Sequence, residues 1–268
     1  MSFENKIAIL GGGNIGMSIA HGLVFTEKYS PEQIIITRKK SDLPADASKE
    51  GGFVFQESNV DAVKQARIVI FAVLPQIAST ILSEIAAFIT NQHSLISIVT
   101  GLEISDIESQ VKKDVCIARA MPNTAIKIRE SMTCISGNKT DSNEFKEIIS
   151  MFDMLGKTLV IDESYISSAT ALGSCGIAFF LRSIRAASQG GTQIGFHAED
   201  AQLIAAQTAK GAAELLLQQQ THPEDEIDKV TTPRGITIAG LNEMEHNGFS
   251  SAFIKGIVTS YDKSTKTK

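Results

Sequence analysis

The sequence predicts an α/β chain in which an N-terminal doubly wound parallel sheet is followed by an all-helical C-terminal part. The observations behind this are a glycine-punctuated passage from strand to helix at residues 6–20, alternating strand-like and helix-like segments to about residue 162, and an alanine-rich texture without β-branched runs beyond it. Alternation of this kind builds a parallel sheet with helices on both faces.

The first element is KIAILGGGNIGMSIA, Lys6 to Ala20. Its apolar run reads as a buried strand and its continuation from Asn14 and Ile15 as a helix. Gly11 allows a sharp turn, Gly13 leaves the backbone bare where a pyrophosphate must approach, and Gly16 lets the helix pack closely on the strand. The helix then aims free N–H groups and the positive end of its dipole at the phosphates. Glycines in a turn are common, but a strand before them and a helix after make a Rossmann-type dinucleotide fingerprint.

Further strands are expected in QIIIT from Gln33, IVIFAV from Ile68, LISIV from Leu95, VCIARAM from Val115 and MTCIS from Met132. Continuous β-branched runs suit strands buried on both faces. Apolar residues at helical spacing place covering helices at residues 77–89 and 143–154. Beyond Ile161 the expected helices are Tyr165 to Gly190, Ala198 to Gln220, Thr237 to Asn247 and Ser250 to Ser264. The resulting division is 1–162 for the dinucleotide-binding domain and 163–268 for the helical one.

Composition narrows the function classes. The chain has 268 residues, 43% of them hydrophobic, and a net charge of −5, enough for a sizeable core and unlike the basic balance of a nucleic-acid binder. The opening residues carry no cleavage signature, and no window approaches the roughly 18 unbroken apolar residues of a membrane span. The expectation is therefore a cytoplasmic protein without a membrane partner. Cys116, Cys134 and Cys175 are widely spaced and odd in number, matching a reducing compartment and no disulfide or zinc framework. No metal site is expected.

Cofactor choice is read at the end of the second strand, where an acidic residue would hold the ribose hydroxyls of NAD. Here stand Thr37, Arg38, Lys39 and Lys40. Hydroxyl and guanidinium groups bond a 2′-phosphate, so the expected cofactor is NADPH, with NADH a weaker substitute. At the carboxyl edge of the sheet, Arg119 to Thr124 (RAMPNT) ends a strand; Asn123 and Thr124 offer a carboxamide and a hydroxyl to a ligand, or to their own backbone. Val230 to Thr237 (VTTPRGIT) opens a helix whose N–H groups suit a carboxylate, with capping by Thr232 and Pro233 as the alternative.

Together these segments resemble the pyrroline-5-carboxylate reductase family over nearly the whole chain. The family's GxGxMG-like opening is matched by GGGNIG, its AVKPQ by AVLPQ at Ala72 to Gln76, and its MPNTP by MPNTA at Met121 to Ala125. Its ATALSGSGPAY corresponds to ATALGSCGIAF at Ala169 to Phe179, and its HP followed by VTSPGGTT to His222, Pro223 and VTTPRGIT. The resemblance implies hydride transfer from NAD(P)H to the C=N carbon of a cyclic imine bearing a carboxylate, giving L-proline. It places Gly235, Ile236 and Thr237 on the substrate carboxylate, the Thr237 hydroxyl on the ring nitrogen, and Ser174 in the substrate-binding set. Ala72, Val73, Pro75 and Asn123 then line the nicotinamide end of the cofactor. Helical domains of two protomers interlock in this family, which implies a homodimer or a higher assembly of dimers.

The chain also departs from the family pattern. Leu74 replaces a lysine, Ala125 a proline and Arg234 the first loop glycine, while Gly173, Ser174, Cys175 and Ile177 rewrite the SGSGP segment. The alternatives are a reductase of another cyclic imine and a non-catalytic NADP-binding regulator. A β-hydroxyacid dehydrogenase would carry a catalytic lysine on the interdomain helix, and Ser164 to Gly190 contains none.

Overall fold

The computed structural model describes Phe3 and residues 6–266. The apolar runs form β1 (Ile7–Leu10), β2 (Ile34–Thr37), β4 (Ile68–Phe71), β5 (Ser94–Ser97), β6 (Cys116–Met121) and β7 (Ser131–Gly137). Two further strands, β3 (Val54–Gln56) and β8 (Gly156–Val160), lie at the sheet edges, and the order is β3-β2-β1-β4-β5-β6-β7-β8. Every residue of β1, β2, β4, β5 and β6 is buried, as a sheet covered on both faces requires.

The helices α1 (Asn14–Phe25), α2 (Asn59–Gln65), α3 (Pro75–Ile85), α4 (Ile104–Val111) and α5 (Asn143–Asp153) supply that cover. On one face Ile19 and Leu23 of α1 join Phe145, Ile148 and Phe152 of α5 over the alternate residues Ile7 and Ile9 of β1. On the other, Leu82 and Ile85 of α3 and Ile107 and Val111 of α4 pack with Ala8 and Leu10. Period-two alternation sends neighbouring strand residues to opposite faces.

Two strands, β7 and β8, depart from the expected parallel arrangement. β7 pairs antiparallel with β6, Met121 opposite Cys134, and β8 then runs parallel to β7. The connection from Met121 to Ser131 is only a short loop with a 3-10 turn at Thr124–Ile128, whereas a parallel crossover needs a dozen or more residues.

Beyond β8 the chain is helical: α6 (Ile166–Ala169), a π-helical stretch Thr170–Cys175, α7 (Gly176–Gln193), α8 (Ala198–Gln219), α9 (Pro223–Lys229), α10 (Ile236–His246) and α11 (Phe249–Thr265). The expected unbroken helix from Tyr165 to Gly190 thus contains a π segment that includes the rewritten GSC motif. The described chain falls into two compact units: residues through Cys175 together with those from Ser260 on, and Gly176–Thr259. In the first, the buried Arg119 of β6 donates from Nη1 to Glu163 Oε1 at 3.0 Å, and Ile104 N donates to the same oxygen at 2.8 Å.

In the second unit α7 and α8 approach closely because small residues meet. A Cβ placed on Gly191 would lie 3.0 Å from the Cβ of Ala201, itself buried. Large apolar side chains there stay open: Ile194 is 79% exposed, Leu203 69% and Ile236 92%. Among the described residues, the helical run Glu163–Gln193 is long and apolar enough to cross a bilayer by length and composition. It passes on mean hydropathy alone: Ser167, Thr170 and Gly173 interrupt it, so it contains no stretch of about 18 consecutive apolar residues.

Candidate active site

The strand order reverses about β1, which lies between β2 and β4, and ligands of open α/β sheets bind outside the carboxyl ends at such a point. Leu10 sits opposite Thr37 and Phe71. The residues that follow each strand therefore meet at one rim, around a cavity of about 820 Å³. Gly11, Gly13, Asn14 and Ile15 line it from the first turn. Thr37, Arg38 and Lys39 line it from β2, and Ala72 and Val73 from β4.

The glycines divide the work as the sequence reading expects. Gly11 has φ +107°, and a Cβ there would fall 2.5 Å from the Ala72 carbonyl oxygen. Gly16 lies beneath the cavity floor, where a Cβ would meet Gly11 O at 2.2 Å. A Cβ on Gly13 would point into open space, with no atom within 4 Å, so the bare position faces the cavity and suits a bulky ligand. Gly13 is also the N-cap of α1 and has no side chain to occupy the first-turn N–H groups. Those groups are free for a pyrophosphate.

At the end of β2 the side chains are fixed in advance. The Thr37 hydroxyl, in a residue 4% exposed, accepts from Gly11 N at 3.2 Å; it braces the turn. Arg38 donates from Nε to Gly12 O at 3.1 Å, reaches Glu50 Oε2 from Nη2 at 3.4 Å, and lies over the Phe55 ring at 5.0 Å. A planar fork held in this way keeps its remaining N–H groups for a phosphate. These features fit a dinucleotide with a 2′-phosphate.

The rim also holds groups that the sequence reading missed. Asp42, Glu57 and Asn59 line the same cavity beside Arg38 and Lys39. Glu57 and Asn59 follow β3, an edge strand too short and too exposed to register as an apolar run. Leu74, Ile77 and Ile81 supply an apolar wall, and their helical spacing at the start of α3 was the signal available for it. Pro75, at the first position of α3, lines a neighbouring cavity of about 300 Å³ with Val99 and Gly101 instead.

Asn123 is turned away from the cofactor cavity, which Thr124 lines in its place. Its Oδ1 accepts from Ala125 N at 3.0 Å and its Nδ2 donates to Gly173 O at 3.3 Å. The Ser174 hydroxyl donates to the Pro122 carbonyl. The PNT loop and the π-helical GSC stretch are thereby tied together. Within the second unit, Gly235 is the N-cap of α10 and its N donates to Thr232 O at 2.8 Å. Capping by Thr232 with Pro233 in the first helical turn does not occur, since the helix begins at Ile236. The first-turn N–H groups, with the half-buried Thr237, form a potential carboxylate cradle. Arg234 is exposed and holds φ +59°, a conformation suited to the glycine it replaces.

Among the described residues no group of three or more His, Cys, Asp or Glu could hold a metal ion. All three cysteines are free, and burial raises the thiol pKa of Cys116 and Cys134, which disfavours their thiolate forms.

The fold and the cavity define a nucleotide-binding α/β protein of the oxidoreductase type, with a separate helical unit. Residues 6–101 match the family described as NADP oxidoreductase coenzyme F420-dependent, and residues 163–267 match pyrroline-5-carboxylate reductase dimerisation. The chain belongs to the pyrroline-5-carboxylate reductase family. It is 48% identical to pyrroline-5-carboxylate reductase 2 of Dictyostelium discoideum, over 99% of this chain and 94% of that protein. With reductase 1 of the same organism it shares 50% identity over 97% of its length, while spanning 49% of that longer relative. Its backbone follows the Plasmodium falciparum pyrroline carboxylate reductase with NADP bound at a TM-score of 0.89 and 25% identity, covering 100% of this chain and 99% of that one. The Streptococcus pyogenes enzyme gives 0.85 and 27%, covering 99% and 100%.

Proposed function

We propose that this chain is an NADPH-dependent reductase of 1-pyrroline-5-carboxylate, producing L-proline in the last step of proline biosynthesis. The observation that carries the reading is the rim cavity, where the bare Gly13, the open first turn of α1 and the braced Arg38 fork match a dinucleotide bearing a 2′-phosphate. The family membership supplies the substrate class.

Bound in this cavity, the reduced nicotinamide supplies the hydride for the C=N carbon. The protein binds, orients and excludes water, the contributions a cofactor enzyme makes. Gly11, Asn14, Ile15 and Gly16 shape the pyrophosphate turn; Thr37, Arg38 and Lys39 form the adenosine end. Ala72 and Val73 flank the nicotinamide end, Pro75 sets the start of α3 behind them, and Asn123 holds the PNT loop in place. Gly235, Ile236 and Thr237 receive the carboxylate, and the Thr237 hydroxyl bonds the ring nitrogen as it becomes an amine. Ser174 shapes the substrate side through its bond to Pro122.

We assign 1–162 to NADP binding and 163–268 to dimerisation and substrate binding. The open apolar residues Ile194, Leu203 and Ile236 give a second copy a surface to cover, so the working form is a homodimer or an assembly of dimers. The free cysteines accord with a cytoplasmic setting. The test is loss of nicotinamide absorbance with pyrroline-5-carboxylate, run in parallel with NADPH and NADH. Turnover with a lower KM for NADPH supports the reading; NADPH binding without turnover favours the non-catalytic regulator, and turnover only with a different ring favours another imine reductase.

A further inference from the structure

We propose that Glu50 sets the strength of NADPH selection by acting as a resident counter-charge on Arg38. The inference rests on the NADPH reading of the rim cavity.

Arg38 has three anchors. Its Nε donates to Gly12 O at 3.1 Å, its guanidinium lies 5.0 Å from the Phe55 ring centroid, and its Nη2 meets Glu50 Oε2 at 3.4 Å. The first two set position and plane without altering charge. The third is different: it places a full negative charge against the cation that must attract a phosphate. Arg38 is largely buried, its side chain 17% exposed, whereas that of Glu50 is 40% exposed and lies outside the cavity lining. The pair sums to zero charge, and the acids Asp42 and Glu57 already offset Lys39 along the rim.

A 2′-phosphate therefore enters an environment whose attraction is muted by Glu50, while a ribose hydroxyl senses little of it. Removing the Glu50 charge leaves Arg38 positioned by Gly12 and Phe55 and restores its net positive charge. Coulombic attraction to the phosphate then rises, and the gain is screened by salt. A purely structural partner would behave in the opposite way, since its loss would loosen Arg38 and weaken NADPH binding.

The test is the Kd of the full chain for NADPH and for NADH, by fluorescence titration, in wild type, Glu50→Gln, Arg38→Gln and the double variant. Glu50→Gln is expected to tighten NADPH about three- to tenfold at low ionic strength, with the gain fading as salt rises. NADH affinity stays within about twofold, which also reports that the variant is folded. In the Arg38→Gln background the Glu50 substitution loses its effect, as expected when two groups act through one contact. Unchanged or weaker NADPH binding, a parallel change in NADH, or an undiminished effect without Arg38 would each overturn the proposal. Wild-type protein that fails to bind NADPH would remove the functional reading and this inference together; normal wild-type binding with an unresponsive Glu50→Gln would remove the inference alone.

Discussion

The Ser174 hydroxyl donates to the carbonyl of Pro122, pinning the π-helical stretch Thr170–Cys175 to the loop that follows β6. Asn123 Nδ2 reinforces the junction by donating to Gly173 O at 3.3 Å. Loss of one such bond costs about 0.5–1.5 kcal/mol. Ser174→Ala is accordingly expected to lower the unfolding free energy by that amount, read from urea denaturation, while leaving NADPH affinity unchanged. Equal stability of the two proteins would mean that the hydroxyl bond contributes nothing.

The glycines of the first turn separate two kinds of damage. A methyl at Gly16 would lie 2.2 Å from Gly11 O, so Gly16→Ala should destabilise the fold by about 1–3 kcal/mol. A methyl at Gly13 meets nothing within 4 Å. Gly13→Ala should keep stability within about 1 kcal/mol yet weaken NADPH binding at least about tenfold, or about 1.4 kcal/mol. Denaturation curves and cofactor titrations on both variants check this, and equal NADPH affinity in Gly13→Ala would place the pyrophosphate elsewhere.

Thr237 is half-buried in the first turn of α10. If its hydroxyl bonds the ring nitrogen, Thr237→Ala removes a hydrogen bond to a polarised group, worth about 1.5–3 kcal/mol. That corresponds to a fall in kcat/KM of roughly ten- to a hundredfold. Steady-state kinetics with pyrroline-5-carboxylate measure it, and an unaltered kcat/KM would exclude the residue from the reaction.

Arg234 occupies φ +59° in the loop before α10, exposed to solvent. A left-handed backbone costs a non-glycine residue about 1–2 kcal/mol, partly offset by the greater chain entropy of glycine. Arg234→Gly should therefore stabilise the protein by up to about 1 kcal/mol. The substrate KM should stay the same; a large rise would instead identify the guanidinium as a carboxylate partner.

His21 of α1 packs edge-on against Phe53, ring centroids 5.1 Å apart. Burial lowers its pKa below the usual 6.5, helped by the positive charge of Lys127 and opposed by Glu50. Between the lowered folded value and 6.5 the unfolded chain binds more protons, so this group's contribution is intact above 6.5 and is lost as pH falls. Melting curves between about pH 7.5 and pH 5.5 should show a shallower acid loss in His21→Asn than in wild type. Identical slopes would show that His21 does not contribute.

The sheet was legible because most of its strands are short, continuous β-branched runs, whose length and composition suit strands buried on both faces. IIIT at Ile34–Thr37 and IVIF at Ile68–Phe71 are examples. Val54–Gln56 was not, because a half-buried edge strand carries no such run. The reversal of β7 depends on the length of a connection, which the composition of MTCIS does not encode. At the site, the glycine turn and the basic end of β2 were visible as local motifs. Glu57 and Asn59 were not, since they reach the rim through tertiary pairing of β3 with β2, and Asp42 is carried there by the 3-10 turn Lys40–Asp42 after β2. The internal ties of Thr37 and Asn123 were hidden for the same reason: a sequence shows which polar groups exist, while their partners, Gly11 N and Gly173 O, are decided by the fold.

Gly12 belongs to no part of the fingerprint, yet a Cβ there would strike Arg38 Nε at 2.5 Å and Arg38 Cγ at 2.7 Å. Its bareness is imposed by the arginine across the turn and by Ile36, whose Cγ2 would lie 2.8 Å from that Cβ. Change at position 12 is thus coupled to residues 36 and 38. A side chain at position 12 requires both Arg38 and the buried Ile36 to give way; added while Arg38 remains, it would displace the guanidinium braced at the cofactor cavity.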